Sequence, residues 1–456
     1  MTAIRWPATL CAAWVALLLI CGASCAGDKP LPETLRVGTI YSPTSFFILR
    51  GDTLGYEYER ISDFAADKGI ALEVTVAGNM RELIDMLREE KIDVAAVEIP
   101  QTAEYKALVL GCGATNETTQ VLVQPSGDSL ITDVTQLIGR EVTVVKGSRY
   151  EARLRNLDNE VGGGIVIRAL ENDTLLSEDL VDMVAAGSLP LTIIDSDLAL
   201  LSKTYNPNID ISLQVSFPQR SSWAVALDHK WLADSIDAWA SSPEVERFSK
   251  AVKRRYFELS KIPESDTISY RPIKGDVISP YDNLFRKYAP VAGVEWQMLA
   301  AICSVESGFK SDARSWAGAR GIMQVMPSTG RAFGVSESEL NDPEKNVEVA
   351  AKSLARIDEY LQPFVADSTE RVRFVLASYN AGIGHIQDAI ALAKKHGHNP
   401  QLWYDNVETA ALMKSNPQFY NDPVCRYGYF RARETVAYVK KVETAYHNYR
   451  RAARRT

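Results

Sequence analysis

The first half of the chain alternates short apolar segments with amphipathic segments of about a dozen residues. Residues 35–41, 72–76 and 92–97 are apolar runs of strand length, and the intervening residues 58–68 and 79–90 have helical periodicity. Helices that alternate with strands are typical of βαβ units, whose strands run parallel within one sheet. An α/β fold is therefore predicted, with further strands at residues 121–124, 141–145, 191–194 and 222–227.

The pattern changes between residues 262 and 280, where three prolines and a glycine lie among polar residues. Such a segment is typical of a linker. From residue 281 onward helical periodicity dominates, most clearly at 347–361, 369–379 and 432–449. The second half is therefore predicted to be mostly α.

The charge balance divides the chain at the same place. The length of 456 residues, at about 150 residues per domain, favours two or three domains. Residues 271–456 hold 25 Lys and Arg against 20 Asp and Glu, a net charge of +5. The chain totals of 50 and 58 leave 25 and 38 for residues 1–270, a net charge of −13. Opposite signs indicate two modules with different partners, and the overall charge of −8 argues against a nucleic-acid partner.

The first 26 residues have the pattern of an export signal. Arg5 precedes an apolar run at 10–23, which is shorter than a membrane-spanning helix requires. Two alternatives remain open: cleavage near Ala26, or lipidation of Cys25 as in bacterial lipoproteins, although Gly22 stands where Leu is usual. The mature chain has no apolar run approaching 18 residues, so no membrane-spanning helix is predicted there.

Three cysteines remain after the signal, namely Cys112, Cys303 and Cys425. None forms a Cys-x-x-Cys pair or a metal-ligand cluster. Export permits a disulfide between Cys303 and Cys425, and buried free thiols are the alternative. Neither a metal nor a cofactor is predicted.

Glu306 has the surroundings expected of a carboxylic acid that is protonated near neutral pH. Leu299, Ile302 and Val305 form an apolar helical face, and Glu306 lies near the end of that helix. The helix dipole favours cations at this end, and apolar packing disfavours the charged form. Both effects are expected to raise the pKa of Glu306, as protonation of a glycosidic oxygen requires.

Four ordered motifs surround Glu306 in the sequence, at residues 300–309, 315–330, 377–382 and 434–438. Together they resemble the lytic transglycosylase family, which is similar to glycoside hydrolase family 23. The departures are Ile322 in place of Leu and Ser378 in place of Ala. The resemblance covers residues 281–450 and implies a lysozyme-like, goose-type α-helical domain.

The resemblance implies that Glu306 is the catalytic acid/base. Tyr379 would place its hydroxyl near Glu306, and Tyr438 would close the cleft from the last helix, with amphipathic packing as the alternative for both. Met323 and Met326 would shape the cleft, and a core role is equally open for each. The implied substrate-binding residues are Ser315, Met323, Gln324, Met326, Tyr379, Asn380 and Tyr438.

The number of carboxylates bears on the mechanism. Ordinary glycosidases use two, whereas the motifs place Glu306 at the centre, with Asp312 and Glu434 the nearest others. Glu434 has an alternative structural role, paired with Arg431. With one carboxylate, the C6 hydroxyl of N-acetylmuramic acid can attack C1 of the same sugar, leaving a 1,6-anhydro end on peptidoglycan. The alternatives are a hydrolytic goose-type lysozyme and a solute receptor whose second module merely binds the cell wall.

The first half resembles the type II periplasmic solute-binding proteins of the amino-acid-binding family (solute-binding family 3). Residues 55–59 match its Gly-Phe-Asp-x-Asp signature in form, and 145–148 match a Val-x-x-Gly-Ser loop at a helix start. Backbone N–H groups at such a loop suit a carboxylate, and Asp195 stands where the family binds an α-amino group. The implied ligand residues are Tyr56, Glu57, Gly147, Ser148 and Asp195.

One departure puts amino-acid binding in question. After Thr102 the chain has Ala103, Glu104 and Tyr105, so the Arg that clamps a carboxylate in the family is missing, and Lys106 is a poor substitute. The open alternatives are an amino acid, a muropeptide from the cell wall, or a docking role without any ligand.

The predicted organisation is a signal at 1–26, a bilobed solute-binding-like domain at 35–258, a linker at 259–280 and a transglycosylase domain at 281–450. Lobe 1 would comprise residues 35–122 and 221–256, and lobe 2 residues 123–220. The predicted partners are peptidoglycan strands, the small ligand above and the outer membrane, reached from its periplasmic face through a lipid anchor or peripheral contact.

Overall fold

The computed structural model describes residues 30–171, 176–259, 261 and 277–453. The predicted signal, with Cys25, and most of the predicted linker lie outside the described residues. The first half forms two α/β lobes and the second half is helical. The predicted fold class is therefore confirmed.

Twelve strands are described, all in the first half. They are β1 (Thr34–Ile40), β2 (Phe47–Leu49), β3 (Asp52–Leu54), β4 (Ala71–Ala77), β5 (Val94–Pro100), β6 (Leu110–Thr118), β7 (Gln120–Pro125), β8 (Glu141–Val145), β9 (Val166–Leu170), β10 (Thr192–Asp195), β11 (Ile209–Asp210) and β12 (Gln219–Val225).

The helices of the first half alternate with these strands. They are α1 (Tyr56–Lys68), α2 (Met80–Arg88), α3 (Ala103–Lys106), α4 (Arg149–Glu160), α5 (Ser177–Ala185), α6 (Ser196–Tyr205), α7 (Lys230–Ala240) and α8 (Pro243–Phe257).

The main sheet has the order β4-β1-β5-β12-β6. Strand β1 runs parallel to β4 and β5, whereas β12 runs antiparallel to both of its neighbours. The chain leaves this sheet after β6 and returns to it through β12. The intervening residues form the second lobe, with the sheet β10-β7-β11, the parallel pair β8 and β9, and a hydrophobic core of its own.

Strands β2 and β3 form a hairpin outside the main sheet. Its two-residue turn consists of Arg50, at φ 53°, and Gly51, at φ 86°. Two consecutive left-handed residues are typical of a type I′ turn, whose twist matches that of the flanking strands. The hairpin therefore carries Arg50 at its tip.

The second half packs its helices around one continuous hydrophobic core. They are α9 (Asp282–Ala292), α10 (Trp296–Ser307), α11 (Pro327–Ala332), α12 (Pro343–Leu361), α13 (Ser368–Ala381), α14 (Ile383–Lys395), α15 (Glu408–Met413), α16 (Pro417–Tyr420) and α17 (Arg433–Ala453). Helix α10 is central: its residues Leu299, Ala300, Ala301 and Cys303 have no exposed surface.

Cys112, Cys303 and Cys425 are free thiols, so the proposed Cys303–Cys425 disulfide is absent from this structure. Within the described ranges, no helix combines the length and apolar character needed to cross a membrane.

Candidate active site

A cavity of about 1160 Å³ lies where the hairpin meets the second half. Among the residues on its wall are Arg50, Glu306, Asp312, Ser315, Trp316, Gln324, Met326, Asn380, Glu434 and Tyr438. The structure thus brings together residues from all four motifs. It adds Arg50, a residue that sequence reasoning did not identify.

Glu306 stands in the last turn of α10. Gly308 ends this helix in a left-handed conformation, at φ 60°. The Glu306 side chain is 6% exposed. Burial raises the pKa of Glu306, and the nearby Arg50 guanidinium opposes this rise without cancelling it. The direction of the pKa shift agrees with the sequence prediction, and burial is its main cause.

The Arg50 guanidinium contacts the Glu306 carboxylate in the cavity. Its Nη2 donates to both carboxylate oxygens of Glu306, at 3.1 Å each. Its Nη1 donates to the carbonyl oxygen of Gln324 at 2.8 Å, and its Nε donates to that of Asn380 at 3.0 Å. Its main-chain N–H donates to the carbonyl oxygen of Ala381 at 2.8 Å. All three nitrogens of the guanidinium therefore donate hydrogen bonds within the site.

The hairpin backbone lies close against the second half beside Arg50. A Cβ atom at Gly382, which has φ 101°, would lie 3.1 Å from the Gly51 nitrogen. The Nε2 of His385 lies 2.8 Å from the carbonyl oxygen of Ile48 and must donate to it. The Nδ1 of the same ring lies 3.0 Å from the ammonium group of the buried Lys414. The second half thus contacts the hairpin at Ile48, within β2, as well as at its tip.

The Gln324 block is held by its own backbone and by neighbouring carbonyls. Gln324 has φ 50°, which is uncommon for a residue other than glycine. Its Nε2 donates to the carbonyl oxygens of Ala313 and Gly321, at 3.1 and 2.8 Å. Met326 lies on the cavity wall, whereas Met323 has no exposed surface and belongs to the hydrophobic core. The position of Met323 thus corresponds to its core alternative.

The two predicted tyrosines have different surroundings. The hydroxyl of Tyr379 donates to the carbonyl oxygen of Met323 at 2.7 Å and so supports the loop that carries Gln324. Tyr438, from α17, is 6% exposed. Burial and the nearby Glu306 charge raise its pKa. The Tyr438 hydroxyl therefore remains protonated, and the side chain lines the cavity near Glu306.

Asn380 and Ser315 lie on the cavity wall, and each side chain accepts a hydrogen bond within the protein. The hydroxyl of Thr435 donates to the Oδ1 of Asn380 at 2.6 Å. The Oγ of Ser315 accepts a hydrogen bond from the Ala319 N–H at 3.0 Å.

The two other motif carboxylates do not pair with Glu306. Asp312 is exposed on the cavity wall. Glu434 accepts a hydrogen bond from the Nε of Arg431 at 2.8 Å, which matches its structural alternative. The strongest charged contact of Glu306 is thus a guanidinium rather than a second carboxylate.

Arg431 also connects the second half to the second lobe. Its Nη2 lies 3.0 and 3.1 Å from the two carboxylate oxygens of Asp182, on α5. Arg433 pairs with the same carboxylate at 3.2 Å and donates to Asp179 at 2.7 Å. The second half is therefore bound to the hairpin of the first lobe and to α5 of the second lobe at the same time.

The predicted ligand residues of the first half are mostly engaged within the protein. Tyr56 packs edge-on against Phe257, with ring centres 5.5 Å apart. Glu57 is buried and accepts hydrogen bonds from the Nε1 of Trp223, at 2.6 Å, and from Arg60, at 3.2 Å.

The hydrogen-bonding groups of the loop before α4 also have partners within the protein. The Gly147 N–H donates to the carboxylate of Glu151 at 2.7 Å, and the Ser148 Oγ caps the helix by accepting from the Glu151 N–H at 3.2 Å. Asp195 is paired with Arg149. A ligand carboxylate at this helix start would have to displace Glu151.

Comparisons with known proteins give a family match within the second half of the chain. The family model "Transglycosylase SLT domain" matches residues 283–402. A membrane-bound lytic murein transglycosylase F from Pseudomonas fluorescens is 31% identical over 447 residues, covering 96% of this chain and 90% of that relative. One from Pseudomonas putida is 30% identical with the same coverage.

Solved structures similar to the first half are solute-binding proteins. The L-cystine solute receptor of Neisseria gonorrhoeae, in its unliganded open form, shares 18% identity at a TM-score of 0.43. The match covers 50% of this chain and 93% of the receptor. Substrate binding domain 2 of Lactococcus lactis GlnP shares 13% identity at a TM-score of 0.44, covering 50% of this chain and 97% of that domain.

Proposed function

The chain belongs to the membrane-bound lytic murein transglycosylase F family, and we propose that it cleaves peptidoglycan through Glu306 to leave a 1,6-anhydromuramoyl end. The observation that carries this proposal is the state of the carboxyl groups among the described residues of the cavity wall: that of Glu306 is 6% exposed, those of Asp182 and Glu434 are engaged by Arg431, and that of Asp312 is exposed. A hydrolase of the usual kind needs two cooperating carboxylates. One carboxyl group suits a reaction in which the substrate supplies the nucleophile.

The proposed reaction uses Glu306 twice. Its protonated carboxyl group donates a proton to the oxygen of the β-1,4 bond between N-acetylmuramic acid and N-acetylglucosamine, and that bond breaks. The resulting carboxylate then accepts the proton of the C6 hydroxyl, whose oxygen bonds to C1 of the same muramic acid. Protons and atoms balance without water, and Glu306 returns to its protonated form.

The mass of the products tests this chemistry. Purified peptidoglycan digested by the full-length protein is expected to release fragments that end in anhydromuramic acid, each lighter by one water than the hydrolysis product. Mass spectrometry before and after borohydride reduction distinguishes the anhydro product from the hydrolysis product, because reduction modifies reducing ends and leaves anhydro ends unchanged. Fragments with reducing ends would support the hydrolytic alternative instead.

We further propose that the first half senses a ligand and controls access to Glu306. Arg50 occupies the carboxylate that the glycan must reach. The first lobe holds the second half through the hairpin, and the second lobe holds it through the Asp182–Arg431 pair. A ligand that changes the angle between the lobes would strain one of these two contacts and favour release.

Ligand addition tests this control. Muropeptides or amino acids that bind the first half are expected to give heat in isothermal titration and to accelerate cleavage by the wild type. The same ligands should leave the rate of Arg50→Ala unchanged, since this variant has already lost the contact that the ligand releases. Absence of heat with every muropeptide and amino acid tried would favour the docking role without a ligand.

The family name is consistent with association with a membrane. We propose a location at the periplasmic face of the outer membrane, with lipidation of Cys25 or peripheral contact as the means. The chemistry proposed for Glu306 requires exposure to peptidoglycan, which that location provides.

A further inference from the structure

Trp316 lies beside Ser315 in a tight turn on the cavity wall. The Ser315 N–H donates to the carbonyl oxygen of Ala319 at 3.0 Å, and the Ser315 Oγ accepts from the Ala319 N–H at 3.0 Å. Gly318, at φ 94°, completes the turn by donating to the carbonyl oxygen of Ser315 at 3.0 Å. The second half therefore fixes the turn and places the indole beside Ser315.

The aromatic groups that surround the Trp316 ring come from the first half of the chain, and the cationic group is Lys261, at the start of the predicted linker. The Tyr256 ring meets it edge-on with ring centres 5.8 Å apart, and the Phe47 ring lies 6.4 Å away. The Lys261 ammonium group lies 4.7 Å from the ring centre. The buried cluster against which the indole packs, which includes Tyr256 and Phe257, also belongs to the first half. Docking of the first half thus covers an aromatic side chain that belongs to the active-site wall.

We propose that Trp316 is a sugar-stacking residue that binds the first half when Arg50 holds Glu306 and binds a pyranose ring of the glycan when the two halves separate. An indole buries a large flat apolar surface, which matches the C–H face of a pyranose. Ser315 and Gln324 supply polar groups on the same wall. One indole cannot be covered by both partners, so the glycan and the first half compete for Trp316. This inference rests on the proposed function.

The test separates glycan stacking from simple docking by working in the Arg50→Ala background, where the hairpin no longer holds Glu306. Cleavage of a soluble peptidoglycan tetrasaccharide is measured for full-length Arg50→Ala, alone and combined with Trp316→Ala, Trp316→Phe or Phe47→Ala. Trp316→Ala is expected to raise KM about tenfold, which corresponds to about 1.4 kcal/mol, with kcat within about twofold of the parent. Trp316→Phe should recover most of the loss, because a smaller aromatic face remains.

Phe47→Ala is the matched control, since it removes a ring that covers Trp316 in the docked state but comes from the first half. It is expected to leave KM within about twofold of the Arg50→Ala parent. An unchanged KM in Trp316→Ala, or an equal rise in Phe47→Ala, would overturn the stacking role. Loss of cleavage in Arg50→Ala with Trp316 intact would overturn the proposed function, and this inference with it. Thermal unfolding of each variant confirms that it is folded.

Discussion

Replacing Glu306 with Gln is expected to slow cleavage of peptidoglycan by about 100- to 10,000-fold, the usual contribution of a general acid or base. Gln has nearly the same shape as Glu but cannot donate a carboxylic proton to the glycosidic oxygen. The side chain is 6% exposed inside the cavity, so solvent cannot easily replace it. Release of soluble fragments from purified peptidoglycan measures the loss.

Asp312→Asn is the matched control for this prediction. Asp312 lies on the same cavity wall, is exposed, and has no role in the proposed proton transfers. Its replacement is expected to change the rate by less than about tenfold, a loss of about 1.4 kcal/mol or less. An equal loss in both variants would point to a pair of carboxylates and to the hydrolytic mechanism.

Replacing Arg50 with Ala is expected to raise the cleavage rate of the full-length protein by about tenfold or more. The substitution removes a charged pair and two hydrogen bonds from the guanidinium to main-chain carbonyls. A hydrogen bond to a charged group contributes about 1.5–3 kcal/mol, and about 1.4 kcal/mol is a factor of ten in an equilibrium. Loss of Arg50 therefore shifts the population strongly toward the form in which Glu306 is accessible.

Arg50→Lys distinguishes charge from geometry. Lys keeps the positive charge but lacks the planar fork that binds both carboxylate oxygens. The rate of this variant is expected to lie between those of the wild type and Arg50→Ala. A rate for Arg50→Ala at or below that of the wild type would show that Arg50 supports catalysis rather than restraining it.

The cleavage rates of the wild type and of Arg50→Ala should also respond differently to pH. The guanidinium of Arg50 lowers the pKa of Glu306 relative to the same buried site without this cation, although burial keeps that pKa above its usual range. The Arg50–Glu306 pair therefore stabilises docking at high pH, where Glu306 is ionised, and this contribution is lost as pH falls through the pKa of the docked carboxyl group. The ratio of the Arg50→Ala rate to the wild-type rate should accordingly grow as pH rises.

The sequence was sufficient to predict the fold class of both halves and to identify Glu306 as the candidate acid. Alternation of strands and helices identifies the α/β half, and helical periodicity with closely spaced motifs identifies the second. Strand β6, at the edge of the main sheet, was not predicted, because its glycines at 111 and 113 and its polar residues lack the apolar pattern of a strand.

Arg50 could not have been linked to Glu306 from the sequence. The two residues are 256 positions apart, and their contact depends on how the hairpin docks. Gly51, close behind a short apolar run, favours a turn, but a turn signal does not show which residues the tip will contact. For the same reason Trp316 and its partner Tyr256 carried no visible signal of their proximity.

The predicted ligand residues of the first half show a second limit of prediction from the sequence, namely that it does not reveal their partners within the protein. The resemblance implied Gly147, Ser148 and Asp195 as ligand residues, but it did not reveal that Glu151 and Arg149 form hydrogen bonds or an ion pair with them within the protein. These partners are close in sequence to the motif and lie on α4, so helical periodicity could have suggested them.

The central claim is that Arg50 of the first half restrains Glu306, the catalytic acid of the second. The most direct measurement is the initial rate at which anhydromuropeptides are released from purified peptidoglycan by three full-length proteins: the wild type, Arg50→Ala, and the double variant Arg50→Ala/Glu306→Gln. The account predicts that Arg50→Ala is faster than the wild type and that the double variant releases almost nothing. An Arg50→Ala variant no faster than the wild type, or a double variant as fast as Arg50→Ala, would contradict it.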